Sequence, residues 1–162
     1  MDGSWGRAMY IEQLYLWHPT TRNLTDFTTN FSFVINSQNN YTYADGLTFF
    51  LNGTQLPSDG SGEGLGLAKD NVTNSTAISF IAVEFDTHNN PEKGDPADNS
   101  TTSQSLYYNV DLRDYLPDFV TIGFSGSTGL FFQINSIYSW SFSSTLQLPN
   151  SVESGEERRQ DF

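Results

Sequence analysis

Between residues 27 and 35 the chain alternates. Phe27, Phe31, Phe33 and Ile35 occupy odd positions, with Thr28, Asn30, Ser32 and Val34 at the even ones. A repeat of two sends one set to each face of an extended strand, whereas a helix returns to a face every 3.6 residues or so. Other short apolar runs fill residues 8–17, 46–51, 77–86, 106–110, 119–125 and 137–142. The first closes on the turn signal His18-Pro19-Thr20-Thr21, and polar loops occupy 36–40, 52–64 and 89–102. Residues 65–67 return to the core, and 111–116 read as a single helical turn. Serial short strands without a sustained helical period predict an all-β, antiparallel sandwich. In the run 77–86, read as a buried strand, Ile78, Phe80, Ala82, Glu84 and Asp86 fall on one face and Ile81, Val83 and Phe85 on the other.

A core of this kind needs bulk, and 15% aromatic residues in a chain of 162 supply it. The length fits one domain over 1–148, followed by a polar stretch, 149–162, expected to be a disordered tail. Nineteen acidic residues against seven basic ones give a net charge of −12, which disfavours nucleic acid because phosphate binding rests on Lys and Arg. Cations and neutral ligands fit better. The absence of Cys removes disulfides, thiolate metal sites and Cys nucleophiles together.

Seven Asn-X-Ser/Thr sequons begin at Asn23, Asn30, Asn40, Asn52, Asn71, Asn74 and Asn99. They suggest a glycoprotein that passes through the secretory pathway to an extracellular place, although chance in an Asn- and Thr-rich chain is the plain alternative. Several of these Asn are expected in strands that would not accept a glycan. Residues 1–6 are polar, so no signal peptide is expected in this chain, and no apolar run approaches the roughly 18 residues that cross a bilayer.

The densest chemistry lies in residues 83–96. Glu84 and Asp86 stand two apart on a strand, so both carboxylates emerge on one face and repel unless water or a cation intervenes. Asn90, Asp95 and backbone carbonyls of the following loop add hard oxygen donors, a set that suits Ca²⁺, with a neighbouring Mn²⁺-like ion as a second expectation. A solvated acidic loop is the ordinary alternative.

The run Glu84-Phe85-Asp86-Thr87, with Asn90 and Gly94-Asp95-Pro96 beyond it, resembles the metal-binding signature of plant legume (L-type) lectins. Three further blocks follow the family's order: Asp26-Phe27-Thr28-Thr29-Asn30-Phe31-Ser32-Phe33, Ala44-Asp45-Gly46-Leu47-Thr48-Phe49-Phe50, and Val120-Thr121-Ile122-Gly123-Phe124-Ser125 leading to Ser139-Trp140-Ser141-Phe142. Gly6-Arg7-Ala8 and Val110-Asp111-Leu112 leading to Leu116-Pro117 are most similar to the lectin ectodomains of plant receptor kinases. The resemblance implies a concanavalin-like jelly roll that binds carbohydrate or glycoprotein glycans. It implies a sugar site in which Asp45, after a cis peptide, accepts from two sugar hydroxyls and Asn90 donates to one. In the same way it assigns Glu84, Asp86, Asn90 and Asp95 as metal ligands and His88 as a backbone-carbonyl ligand near the sugar. Leu130 and Phe131 match the loop that tunes sugar choice, and Gly62 or Gly64 the backbone N–H that meets the sugar. Without the resemblance, Asp45 reads equally well as a turn residue and Phe131 as a cap on the core.

The sequence also departs from the pattern. Where the family has a metal-binding His, this chain has Ser100, so the transition-metal site is expected to be weak while the Ca²⁺ site keeps its oxygens. Strands that ordinarily follow that His, and one before Gly6, have no counterpart, which leads to the expectation of a truncated or alternatively spliced product with weakened sugar binding and open sheet edges. Those edges also offer a route to homo-oligomers. The alternatives are a fold-only interaction module or nonfunctional remnant and, less favoured, a β-glucanase-like hydrolase using two carboxylates about 5 to 5.5 Å apart. His88 stands where such hydrolases need a third acidic residue, so no enzyme is expected.

Overall fold

The computed structural model describes residues 3–58, 62–68, 79–88, 107–146 and 159–160. Its strands are β1 (Trp5–Met9), β2 (Leu14–Tyr15), β3 (Thr25–Asn36), β4 (Gly46–Asn52), β5 (Phe80–Asp86), β6 (Phe119–Ser127), β7 (Ile134–Leu146) and β8 (Arg159–Gln160), all paired antiparallel. One sheet runs β1-β6-β4-β5, with β2 also on β6; the other runs β3-β7-β8. Short 3-10 turns occupy Gly62–Gly64 and Leu112–Asp114.

The alternation in β3 does what the pattern predicts: Phe27, Phe31, Phe33 and Ile35 pack on the core while Thr28, Asn30, Ser32 and Val34 face outward. Opposite them stand the odd residues of the first sheet, Leu47, Phe49 and Leu51 from β4, and the even ones of β6, Val120, Ile122 and Phe124. Phe31 lies 4.9 Å from Phe124 and 5.8 Å from Phe49 between ring centroids, and Trp140 of β7 meets Phe124 edge-on at 5.1 Å. Offset and edge-to-face pairs of this kind add to the area the rings remove from water. A bulge where Ser32 pairs with Ser139 but Phe33 with Ile137 leaves Tyr138 as the extra residue, 73% exposed.

Phe50, Leu65 and Leu67 are buried outside that cluster. Phe50 lies on the opposite face of β4 from Phe49, so the 62–68 segment helps close a second apolar layer there. Ser125 Oγ donates to Leu65 O at 2.6 Å, and the Arg7 guanidinium donates to Gly66 O and Pro57 O at 2.5 and 2.7 Å. Desolvation lowers the Arg7 pKa from its ordinary value. Residues 65–67 thus return to the core as the sequence predicts, and Pro57 of the loop before them is tied to β1 through Arg7.

Three strand expectations change. The run 8–17 is two strands: Tyr10 N still donates to Ile122 O, but Ile11 turns out to solvent at 92% exposure before Leu14 rejoins β6. Residues 107–110 form no strand, and Tyr107 and Tyr108 project into water, because no neighbouring strand among the described residues receives them. The β5 strand is not buried: Ala82, Val83, Glu84 and Asp86 are exposed, since among the described residues β5 pairs on one side only, with β4. The expected helical turn is present at Leu112–Asp114, with Asp111 as its N-cap accepting from Arg113 N. Of residues 149–162, only Arg159–Gln160 is described; it pairs with Phe142 and Ser143 of β7.

Candidate functional site at one end of the sandwich

Four separate segments meet where β4 begins and β5 ends. The register pairs Gly46 with Asp86 of β5 and with Ser127 of β6, so the residue before Gly46 stands beside the ends of both neighbours. That residue is Asp45, joined to Ala44 by a cis peptide. Its backbone is held from both sides: Asp45 N donates to Ser127 O at 3.2 Å, and Thr87 N donates to Asp45 O at 3.1 Å. Gly46 follows at φ +154, where an added Cβ would lie 2.6 Å from Phe85 O, so glycine is needed for the close approach of β4 and β5.

Asp45 is half-buried. Ser127 Oγ lies 3.4 Å from Asp45 Oδ2 and donates to Gly62 O at 2.5 Å, which brings the Gly62–Gly64 turn to the same place. A Cβ on Gly129 would stand 3.4 and 3.6 Å from the two Asp45 carboxylate oxygens and 3.7 Å from Gly62 Cα. On the far side, the His88 and Phe131 rings are 5.9 Å apart, and Leu130 is 96% exposed. Asp86 Oδ1 accepts from His88 N at 2.7 Å, which fixes the turn leaving β5.

Beneath this surface a polar relay ties three strands together. Thr87 Oγ1 donates to Gln133 Oε1 at 2.6 Å, Gln133 Nε2 donates to Asn135 Oδ1 at 3.0 Å, and Asn135 Nδ2 donates to Gly46 O at 2.8 Å. Gln133 is 6% exposed, so its amide is satisfied largely out of water, where an unmade bond would cost about 1 to 3 kcal/mol. The relay and Ser127 were not found from sequence, because nothing in a single strand marks contacts between segments this far apart.

Of the residues expected at the site, Asp45, Gly62, Gly64, His88, Leu130 and Phe131 come to this end, with Asp86 at its margin. Glu84 shares the Asp86 face of β5, and both are exposed. Asn90, Asp95 and Ser100 lie outside the described residues. Among the described residues, no group of three His, Cys, Asp or Glu converges as a metal site. What is present is two exposed carboxylates on one face at a strand end, hard oxygen donors of the type Ca²⁺ takes. An acceptor carboxylate beside backbone turns and an aromatic pair suits a ligand with hydroxyls on one edge and an apolar face on the other.

Comparison with known proteins agrees with this architecture. The sequence profile of the legume lectin domain matches residues 1–101 and 97–158. This chain belongs to the legume lectin family. It is 34% identical over 195 positions to agglutinin-2 of Cladrastis kentukea, covering 90% of this chain and 67% of that protein. The α-methyl-mannoside-specific lectin of Arachis hypogaea is 31% identical over 191 positions, covering 87% and 68%. Among solved structures, peanut lectin with a nine-residue peptide superposes at a TM-score of 0.75 with 30% identity, covering 92% of this chain and 84% of that one. The fold is thus a legume-lectin β-sandwich, and the family is one of carbohydrate-binding proteins rather than enzymes. The alignment with agglutinin-2 is longer than this whole chain, so that relative carries residues with no counterpart here, and the two matched blocks meet at residues 97–101.

Proposed function

We propose that this legume lectin domain binds a saccharide at the end of the sandwich, through Asp45. The single observation that carries the reading is half-buried Asp45, its backbone held by Ser127 and Thr87 and its carboxylate beside Ser127 Oγ and Gly129. In this proposal Asp45 accepts from two neighbouring sugar hydroxyls, charge-assisted bonds that favour one hydroxyl arrangement over its epimer. Asn90 donates to one of them, and a backbone N–H of the Gly62–Gly64 turn donates to the other side. The His88 and Phe131 rings meet the apolar face of the pyranose, and exposed Leu130 stands at the rim where selectivity is set.

A Ca²⁺ ion belongs to the same proposal. Glu84, Asp86, Asn90 and Asp95 would supply side-chain oxygens and His88 its carbonyl, and the ion would fix the segment carrying Asn90 against Asp45. A Mn²⁺-like ion would be held weakly, because Ser100 offers no imidazole. The natural ligands are glycans of glycoproteins met in the secretory pathway or outside the cell, and sheet edges are the route to any homo-oligomer. The parent as a receptor-kinase ectodomain rests on Gly6-Arg7-Ala8 and Val110-Asp111-Leu112 leading to Leu116-Pro117 alone. No helix among the described residues is long and apolar enough to span a membrane.

One observation favours a second reading, a fold-only module with weakened sugar binding: agglutinin-2 carries residues that this chain lacks. Retention on mannose- and galactose-bearing surfaces separates the two. The lectin reading expects Ca²⁺-dependent retention that Asp45→Asn removes while the circular dichroism stays unchanged. Equal passage of wild type and Asp45→Asn through every surface would leave the fold-only reading.

A further inference from the structure

Four of the sequons lie wholly within the described residues, at Asn23, Asn30, Asn40 and Asn52, and the fold treats them differently. Asn52 is closed. It is 4% exposed on β4, its Nδ2 donates to Thr54 O, and its Oδ1 is buried without a hydrogen-bond partner. The next residue, Gly53, has no room even for a methyl group, since a Cβ there would sit 2.1 Å from the Pro117 ring. A sugar on Asn52 Nδ2 would have to push through this packing. Asn23 is half-buried, and the hydroxyl of its sequon partner Thr25 is committed to Tyr15 O at 2.6 Å. Asn30 faces outward but lies within β3, paired with Ser141.

Asn40 combines what the others lack. Asn40, Tyr41 and Thr42 are all exposed, Tyr41 at 103%, and none of the three is in a strand. Asn40 N donates to Ser37 O at 3.0 Å, closing a turn that carries the exposed Asn40 side chain. Surface loops are where an N-linked glycan is tolerated, because the branched sugar needs open space on all sides.

We propose that Asn40 is an N-glycosylation site and that Asn52 stays unmodified in the folded protein. In the reaction, Asn40 Nδ2 attacks the anomeric carbon of a lipid-pyrophosphate-linked oligosaccharide. A C–N bond forms, the anomeric C–O bond breaks, the lipid pyrophosphate leaves, and the amide gives up one proton. No oxidant or reductant is needed. The co-reactant is met in the lumen of the secretory pathway, so the site is used when the chain is routed there. The proposal is independent of the sugar-binding reading: Asp45→Asn leaves the sequon and its exposure untouched.

The test is glycopeptide mass spectrometry on the full chain secreted from human cells behind a supplied leader, with and without enzymatic removal of N-glycans. Folded, protease-resistant protein is expected to carry a glycan on the Asn40 peptide and none on the Asn52 peptide. Asn40→Gln is expected to lose the mass of one glycan, and Asn52→Gln to lose none. A bare Asn40 peptide, or a glycan on Asn52 in the protease-resistant fraction, would overturn the proposal. If Asn52→Gln lowers the yield of folded protein, the peptide map of the unaltered chain decides alone.

Discussion

At the scale of single residues, the arrangement separates groups that build the fold from groups that face the proposed ligand. Arg113 and Asp111 belong to the first kind: the guanidinium donates to both carboxylate oxygens, at 2.8 and 2.5 Å, and to Arg22 O, so it links the Leu112–Asp114 turn to the segment before β3. These hydrogen bonds hold the Asp111 carboxyl down at about 2. Because its folded value is depressed, whatever the pair contributes is present above the ordinary carboxylate range and is lost as pH falls toward about 2. Arg113→Ala is expected to move the Asp111 titration upward by NMR, part of the way because residue 113 keeps its backbone N–H bond, and an unmoved titration would contradict the assignment. Gly129 belongs to the second kind. The atoms nearest a Cβ there belong to Asp45 and Gly62, at van der Waals distance, so Gly129→Val should weaken saccharide binding at least tenfold, about 1.4 kcal/mol, with little change in the melting temperature. Equal binding would mean that the ligand does not use this space.

At the scale of elements, β4 is the organiser: its odd residues enter the core between the sheets, Phe50 enters the second layer, and its first residues carry the site. The relay from Thr87 through Gln133 and Asn135 to Gly46 O keeps the ends of β4 and β5 in register. Asn135→Ala would leave Gln133 Nε2 and Gly46 O without these partners, a loss of about 1 to 3 kcal/mol in denaturant unfolding, accompanied by weaker sugar retention. Loss of stability without any change in retention would show that the relay serves the fold alone. Much at this scale was legible. The β3 alternation announced its face residue by residue, and the spacing of Glu84 and Asp86 put both on the outer face of β5. Illegible parts had specific causes. Tyr107 and Tyr108 have the strand preference of aromatics, but preference does not supply a neighbouring strand. Ser127 and Gly129 look like ordinary strand and loop residues, and only the pairing of β6 with β4 brings them to Asp45. Exposure of β5 likewise depends on which strand stands beside it, which no local pattern encodes.

At the scale of the whole molecule, two sheets share one aromatic core while the chemistry gathers at one end, where strand termini from both neighbours of β4 converge. The order of the blocks in the sequence announced the family, whose profile matches in two blocks that meet at residues 97–101. In the proposed reading, fold and ligand site respond to different conditions. Removing Ca²⁺ with a chelator is expected to abolish saccharide binding while the melting transition of the aromatic core moves only slightly, followed by near-ultraviolet circular dichroism; binding that persists in chelator would remove the ion from the account. The most direct measurement is a crystal structure of the chain with Ca²⁺ and a bound monosaccharide. The account predicts density for the ion on Asp86 and for the sugar with two hydroxyls on Asp45 and its ring near His88 and Phe131. A sugar seated elsewhere, with Asp45 facing only solvent and protein, would contradict it.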